Sequence, residues 1–301
     1  MRPRFQRTIG LLAVAGMLVV ACQAHAAKQF RLKFKQGQIF KVTMNQETKQ
    51  TISVMGQTQE MPMTMVMEMT WDITDASADG FTIVQTIDRV QMKMKIPMQG
   101  EVNYDSKNPG GGGQIATMLG TMFKPMLNTK FEQKMNRLGK VLEVNIPDSA
   151  LKGIEANPLL KKFFSKDAFQ EMMSKMSPVL PEKAIDKGFS WESSVETPAP
   201  FGKMKMKTKY TYEGEEVHNN KKLDKFGIVL NIEMEMQPGA TALLKVQDQK
   251  STGTMYFDSE AGYFVENVIN QEMTIAGQAG GQQFTQKLKT VTRLTTTPVT
   301  K

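Results

Sequence analysis

Cysteine and histidine are nearly absent from this sequence, which has one cysteine and two histidines among its 301 residues. Cys22 and one of the histidines fall within the first 26 residues, so the chain that follows has no thiol and keeps only His218. A disulfide framework and a thiol nucleophile are therefore excluded for residues 27–301. His218 lies in the polar stretch EEVHNNKK, and we interpret it as a solvated loop residue.

The sequence also lacks the features of an enzyme active site. No pair of acidic residues is accompanied by a supporting base, a nucleophile or a basic phosphate-binding loop. The glycine-rich stretch SKNPGGGG (106–113) is irregular and has the composition of a flexible linker. We therefore expect a protein that is not an enzyme and that holds no cofactor.

No apolar run is long enough to span a bilayer. The longest, from Ile9 to Ala21, has 13 residues, whereas a membrane-spanning helix needs about 20. This run follows three arginines and precedes small residues that end at Ala26, which is the pattern of a secretory signal peptide over residues 1–26. We expect cleavage after Ala26, a mature chain without a transmembrane segment, and a periplasmic or secreted location.

A second interpretation of the N-terminus places a lipid on Cys22. The residues Val19-Val20-Ala21-Cys22 resemble a bacterial lipobox, in which the cysteine becomes lipidated. Strand-like sequence begins at Lys28 and leaves little of the flexible tether that a lipoprotein usually has, so we favour cleavage at Ala26. The alternative is a membrane-anchored lipoprotein.

The charge of the mature chain is only mildly positive. Removing the three arginines of the signal peptide from the 38 basic residues leaves 35 against 30 acidic residues, a formal charge of +5. The lysines alternate with apolar residues, as in KMKMKTK (203–209), which is typical of a solvated strand face. We expect no nucleic-acid partner, and the sequence does not indicate a protein partner.

Methionine is abundant, with 25 residues, and it follows the periodicity of a β-strand. The stretch EMPMTMVMEMTW (60–71) has methionine at every second position from 61 to 69, which places five side chains on one face of a strand. In the next strand the apolar positions change from odd to even numbers at Asp88-Arg89, and a β-bulge there would keep both parts on one face. We predict that the same apolar layer includes Met92, Met94, Met98, Met204, Met206, Met234 and Met236.

The periodicity predicts a β-rich α+β fold, with residues 27–301 in one compact domain. Strand patterns occupy residues 27–113 and 188–301 with similar landmarks, so we predict two similar, curved antiparallel sheet halves. Residues 114–187 between them have helical spacing around ATMLGTMF, a hairpin that turns at Arg137-Leu138-Gly139, and two further helical patterns. We expect this helical insert to pack across the apolar face.

Several stretches occur in an order that is similar to that of a known family. These are GQIFKVTMN, the methionine-alternating strand, TIDRVQMKM followed by YDSKNP, KFEQKMNRLGKVLEV, and TGTMYFDSEAGYFVE. Together they resemble an uncharacterised family of exported bacterial proteins known only as a domain of unknown function. The resemblance covers nearly all of the mature chain, implies an exported β-rich domain and brings no catalytic residues. A looser likeness, to curved-sheet carriers of lipoproteins and lipids in the bacterial envelope, is an analogy of fold alone.

Three hypotheses account for the methionines. In the first, they line a groove that binds an apolar small molecule or lipid-like chain, because flexible methionine side chains adapt to more than one shape. In the second, they fill the core of a purely structural envelope protein. In the third, their thioethers bind Cu(I), a soft ion. The candidate ligand-binding residues are Met63, Met65, Met67, Met92, Met94, Met204, Met206, Met234 and Met236.

Overall fold

The computed structural model describes the chain in seven segments, which are residues 27–97, 99–109, 113–156, 178–199, 202–236, 242–279 and 281–300. The predicted signal peptide with Cys22, the methionine at position 98 and the predicted helix that begins at Ser165 lie outside the described residues.

Long antiparallel strands dominate these segments, because apolar and polar side chains alternate over 16 to 20 residues in eight of the twelve strands. The strands are β1 Ile39–Val54, β2 Gln57–Ala76, β3 Gly80–Ile96, β4 Gly100–Asp105, β5 Lys130–Asn136, β6 Val141–Asn145, β7 Ser190–Ala199, β8 Gly202–His218, β9 Lys221–Met236, β10 Ala242–Asp258, β11 Tyr263–Ala279 and β12 Gln282–Pro298. The described helices are α1 Gly113–Phe123 and α2 Asp148–Ala156.

The two regions of strand pattern form a single sheet. Its order is β6-β5-β3-β2-β1-β12-β11-β10-β9-β8-β7, with β4 paired to β3. The strands β1 and β12 pair from Phe40 with Pro298 to Val54 with Phe284, so they join the two regions at the centre. The structure confirms a β-rich fold with one large curved antiparallel sheet, but it does not confirm the two sheet halves of the predicted α+β fold.

One face of this sheet carries the core, and we call it the inner face. It bears Phe40, Ile73 and Phe226, which are between 0% and 1% exposed. The other side, the outer face, bears most of the lysines and glutamates of the strands, as in the pair of Lys289 and Glu272. This separation is expected for an antiparallel sheet with one solvated side.

The predicted bulge in β3 is confirmed. Arg89 pairs with Glu68 and Ile87 pairs with Met69, which leaves Asp88 as the extra residue. The buried side chains of β3 change from odd to even numbers across this point, so both parts of the strand face the core. The bulge therefore keeps the β3 methionines on the same face as those of β2.

Residues 27–38 cross the inner face without joining a strand ladder, which corrects the expectation of a strand from Lys28. Phe30, Leu32 and Phe34 are 1%, 4% and 6% exposed, as their alternation predicts. Most backbone N–H groups of this segment that form hydrogen bonds donate to carbonyls outside the strands, and that of Gly37 donates to the carbonyl of Ile73 in β2. Phe30 packs against aromatic rings of β8, β9 and β10, and Phe34 against rings of β1 and β3. The segment thus ties distant strands together.

The described helices lie toward the β4 and β6 side of the sheet. Phe123 of α1 stacks on Tyr104 of β4, with ring centroids 5.9 Å apart. Ala150 of α2 packs with Phe131 and Ile146 in a small separate cluster. Residues 178–187 of the predicted insert connect the two sides of the sheet, since the Leu180 N–H donates to the carbonyl of Leu138 in the β5–β6 turn and Ile185 pairs with Lys28. Residues 157–177 of the insert lie outside the described residues.

Candidate ligand-binding face

The predicted methionines of β2 and β3 form a contiguous group on the inner face. Met63 faces Met94 and Met65 faces Met92 across the two strands. Met92 is 7% exposed, whereas most of the group is partly exposed although it packs against the core. Thr64, on the opposite face of β2, is exposed as the register requires. We call this group the methionine patch, and it consists of Met61, Met63, Met65, Met67, Met92 and Met94.

Burial increases along β2 from its hairpin end toward the core. The methionines from Met61 to Met67 are partly exposed, Met69 is 8% exposed and Ile73 is completely buried. Gln85 of β3 donates a hydrogen bond to the sulfur of Met69 at 3.4 Å. The inner face is thus closed where residues 27–38 cross it and open toward the β1–β2 hairpin.

The remaining candidate methionines form a second group on β8 and β9. Met204 faces Met234, Met206 faces Ile232, and Met236 faces Gly202. All four methionines are partly buried and share the inner face with the aromatic core residues of these strands. In the order of the sheet, β1, β12, β11 and β10 separate this group from the methionine patch. The nine candidates therefore share one face but occupy two sites on it.

Polar side chains form a row between these two methionine groups. Ser251 of β10 pairs with Gln271 of β11, which pairs with Thr290 of β12, which pairs with Thr48 of β1. Thr48 in turn faces Met63 of the methionine patch. The hydroxyl oxygens of Thr48 and Thr290 lie 3.2 Å apart, within hydrogen-bond distance. We call Ser251, Gln271, Thr290 and Thr48 the polar row, which the apolar periodicity of the sequence does not reveal.

Ser251 is the most buried member of the polar row. It is 3% exposed, and its hydroxyl has no hydrogen-bond partner. A buried polar group without a partner costs about 1–3 kcal/mol, and native structures contain few of them. The Ser251 hydroxyl is therefore a feature of the inner face that folding alone does not explain.

The ladder between β9 and β10 ends beside Ser251. Its last backbone pair joins Thr252 to Val229. Farther along, the carboxamide of Gln249 takes the place of strand pairing, since its oxygen accepts from the N–H of Ile232 at 2.8 Å and its nitrogen donates to the carbonyl at 2.9 Å. Within the described residues, β9 and β10 thus separate at the end of the polar row.

The inner face around the polar row is uncharged. We consider the described parts of β1, β10, β11 and β12 between the residues in register with Met44 and the strand tips. Every inner-face position there holds an uncharged residue, which is either apolar or one of glycine, serine, threonine, asparagine and glutamine. The charged residues of these strands point outward, where Lys289 Nζ lies 3.0 Å from Glu272 Oε1. The open face offers hydrogen bonds without charge.

A buried ionic cluster lies at the closed end of the sheet. Asp224 is 2% exposed and accepts hydrogen bonds from Lys28 Nζ at 2.6 and 2.7 Å, from Tyr212 Oη at 2.8 Å and from Ser259 Oγ at 2.5 Å. Burial and the bond to Asp224 raise the pKa of Tyr212. Because each polar group of this cluster is engaged, the cluster anchors the segment of residues 27–38 to β8 and β9.

His218 is not a solvated loop residue, which corrects the interpretation of its sequence context. Its Nε2 lies 2.5 Å from Oε2 of Glu266, and its ring stacks on Tyr256 with 3.8 Å between centroids. Arg293 contacts the other carboxylate oxygen of Glu266, which is 4% exposed. The end of the β8–β9 hairpin therefore packs onto the outer face of β10 and β11. Strand alternation places Tyr256 and Glu266 on that face but does not reveal the hairpin contact.

Neither a metal cluster nor the cleft at the strand tips coincides with the methionines of the described residues. No group of three or more His, Cys, Asp or Glu side chains that could hold a metal exists among the described residues. The Cu(I) hypothesis therefore rests on thioethers alone. A cleft of about 770 Å³ lies at the tips of β1, β10, β11 and β12, where Met55, Leu244 and Phe284 contribute to its lining. It includes none of the nine candidate methionines.

Helices long and apolar enough to cross a membrane are absent from the described segments.

These features define a protein built on one open antiparallel sheet with an uncharged, methionine-rich inner face. The chain belongs to a family of unknown function (DUF6263), whose model matches residues 78–281. This match confirms the resemblance inferred from the sequence. No curated relative matches the chain.

Similar solved structures come from several kinds of protein. A structure described as lipid–protein interactions in lipovitellin has 7% identity and a TM-score of 0.48, and the match covers 88% of this chain. The chain spans only 25% of the length of that lipovitellin. An outer membrane channel from Pseudomonas putida F1 has 6% identity and a TM-score of 0.27, with 88% of this chain and 97% of the channel covered. A DUF1329 family protein from Desulfovibrio piger has 9% identity and a TM-score of 0.15, with 82% and 83% covered. Similarities at this level carry no argument about function.

Proposed function

We propose that this protein binds an apolar ligand, such as the acyl chain of a lipid, on the methionine patch and performs no catalysis. The observation that carries this proposal is a partly exposed apolar patch that continues into an uncharged inner face. An acyl chain placed there would remove apolar surface from water, which contributes about 25 cal/mol per Å². Methionine suits such a surface because its unbranched side chain adapts to ligands of different shape.

The bacterial envelope is the compartment in which we place this activity. The predicted signal peptide over residues 1–26 supports export, and the absence of cysteine from the rest of the chain makes the fold independent of disulfide formation. Lipid-like molecules are the apolar ligands available there. The protein would then shield an acyl chain from water in the periplasm or at a membrane surface.

The alternative is a purely structural envelope protein whose methionines complete its core. The packing of Met63, Met65, Met67 and Met94 against buried residues favours this alternative. The two functions differ in one measurable property, which is whether the methionine patch accepts a molecule from solution.

A charge placed on either face of β2 tests the proposal. Residues 27–301 would be titrated with N-phenylnaphthylamine, a neutral probe that fluoresces in apolar surroundings. Met63→Glu introduces a carboxylate in the methionine patch and should abolish most probe binding, because burying a charge beside an apolar ligand is unfavourable. Thr64→Glu introduces the same charge on the exposed outer face of the same strand and should leave probe binding unchanged. Thermal unfolding of both variants shows whether the sheet remains intact.

Native mass spectrometry of the protein purified from its own periplasm provides a second measurement. A retained lipid would support the proposal, and a copper adduct would point to thioether binding of Cu(I). A ligand-free protein that also fails to bind the probe would contradict the proposal and favour the structural alternative.

A further inference from the structure

We infer that the ligand is an uncharged amphiphile, which is a lipid whose polar group hydrogen-bonds without carrying a charge. This inference rests on the proposed function and adds the chemical class of the polar group. The polar row would receive that group, and the methionine patch would receive the apolar chain.

The polar row and the methionine patch form one continuous line across the sheet. Adjacent strands place Ser251, Gln271, Thr290, Thr48, Met63 and Met94 in direct register. Because neighbouring strands are about 4.8 Å apart, the four polar positions extend over about 14 Å before the methionines begin. An amphiphile that lies along this line would therefore meet hydrogen-bonding groups at one end and thioethers at the other.

The Ser251 hydroxyl provides the observation that points to a ligand. It is 97% buried on the inner face and has no hydrogen-bond partner in the protein. A hydroxyl donates one hydrogen bond and accepts two, so a hydroxyl or ester oxygen of a ligand would satisfy it. The Thr48 hydroxyl bonds to that of Thr290 and also accepts from Nε2 of Gln46 at 3.3 Å, so the Thr290 hydroxyl keeps the greater capacity to accept from a ligand.

The absence of charge on this face determines which polar groups it accepts. A carboxylate or phosphate would lose its hydration there and would find no lysine or arginine to compensate for that loss. The lysines of the same strands point to the outer face, as Lys250, Lys287 and Lys289 do. A glycerol, alcohol or ester group loses less hydration and gains hydrogen bonds, so the face selects against anionic lipids.

The polar row ends where the strands β9 and β10 separate. Beyond Thr252 and Val229 the strands β9 and β10 have no backbone pairs within the described residues, and Gln249 spans the interval through its side chain. A polar group at Ser251 would lie beside these strand edges, whose backbone groups can also donate and accept hydrogen bonds.

Competition against bound N-phenylnaphthylamine tests the class of ligand. The competitors are a monoacylglycerol and the fatty acid of the same chain length, compared at pH 8, where the fatty acid is a carboxylate. We expect the monoacylglycerol to displace the probe at a concentration about tenfold lower than the fatty acid requires.

Substitutions in the polar row test its role. The double variant with Ser251→Ala and Thr290→Val should weaken monoacylglycerol binding by about tenfold and leave the affinity for the probe itself within about twofold, because the probe does not need the hydroxyls. Ser251→Ala alone should keep or raise thermal stability, since it removes a buried hydroxyl without a partner. Thr252→Val is the control, because Thr252 is exposed on the outer face beside Ser251.

The outcomes separate this inference from the proposed function. Equal or stronger displacement by the fatty acid, or an unchanged monoacylglycerol affinity in the double variant, would overturn the inference while the probe still binds. A parent protein that does not bind the probe would contradict the proposed function itself, and the inference would fail with it.

Discussion

Methionine side chains occupy two different environments in this sheet. Met65 belongs to the partly exposed methionine patch, whereas Met255 of β10 is 1% exposed within the core. Alternation in the sequence correctly places Met65 on the inner face, because a strand repeats every two residues. The degree of burial could not be predicted, since it depends on which distant segment covers each part of the face.

Substitution of methionine by glutamine should distinguish these environments. Met255→Gln buries an amide in a dry core and should lower the free energy of unfolding by about 1–3 kcal/mol. Met65→Gln keeps its amide in contact with solvent and should cost less than about 1 kcal/mol while reducing uptake of the apolar probe. Met65→Leu, similar in volume, should cost less than about 1.5 kcal/mol. Urea unfolding measures all three, and equal costs for the two glutamine variants would show that the patch is sealed.

Acid should weaken one ion pair on the outer face. The Arg89 guanidinium donates to Asp105 from Nε at 3.0 Å and holds the pKa of that carboxyl at about 2, below its usual 3.8. A carboxyl with a depressed folded pKa adds stability above its unfolded pKa, and this stability is lost as the pH falls from about 4 to about 2. The stability difference between the parent and Arg89→Gln should therefore be large at pH 7 and small at pH 2.

Urea unfolding midpoints at pH 7 and pH 2 measure this difference. Lys287→Gln removes an exposed positive charge from the outer face of β12 and controls for the change in net charge. A difference for Arg89→Gln that persists unchanged at pH 2 would show that the Asp105 pair does not contribute to stability through its ionisation.

At the scale of single elements, the strands were more predictable than their connections. The change from odd to even apolar positions located the β3 bulge at Asp88, because only an extra residue keeps both parts on one face. The alternation of Phe30, Leu32 and Phe34 predicted their burial but also suggested a strand that does not exist. A period of two specifies the faces of an extended segment and does not specify whether a partner strand lies beside it.

Deletion of Asp88 removes the bulge but should leave both parts of β3 on their present faces, because Ile87 and Val90 would then lie two positions apart, as ordinary strand alternation requires. Deletion of Gln91 keeps the bulge and should turn residues 92–96 over, so that their lysines face the core and their methionines face solvent, at a cost of more than about 4 kcal/mol. Comparable stability of the two deletion variants in urea unfolding would contradict the role assigned to the bulge.

At the scale of the whole molecule, the sequence predicted the class of fold but not the arrangement of the sheet. The pairing of β1 with β12 could not be predicted from the sequence, because both strands have the same alternating pattern as the other long strands and nothing in that pattern specifies a partner. The polar row was equally hidden, because Ser251, Gln271, Thr290 and Thr48 come together only when four strands align in register. The methionine candidates could be predicted from the sequence because they repeat at every second position within single strands.

The contacts of residues 27–38 are relevant to where the mature chain begins. Lys28 forms two backbone hydrogen bonds with Ile185, of 2.9 and 3.0 Å, and its side chain bonds to buried Asp224. The fold therefore begins next to the predicted cleavage site, and a lipid on Cys22 would lie within about 22 Å of Lys28. We expect the intact mass of the exported protein to correspond to a chain that starts at Ala27. A mass that includes a diacylglyceryl group on Cys22 would instead place the protein at a membrane surface.

The pairing of β1 with β12 also affects how quickly the chain reaches its native state. The Thr48 and Thr290 side chains that meet at the centre of the sheet are 242 residues apart in the chain. Contacts of such long range raise the contact order, and proteins with high contact order fold slowly. The central ladder cannot close until both strands are available, so β1 and its neighbours present an unpaired edge during folding. A protein of this topology therefore depends on protection from aggregation for longer than one built from local hairpins alone.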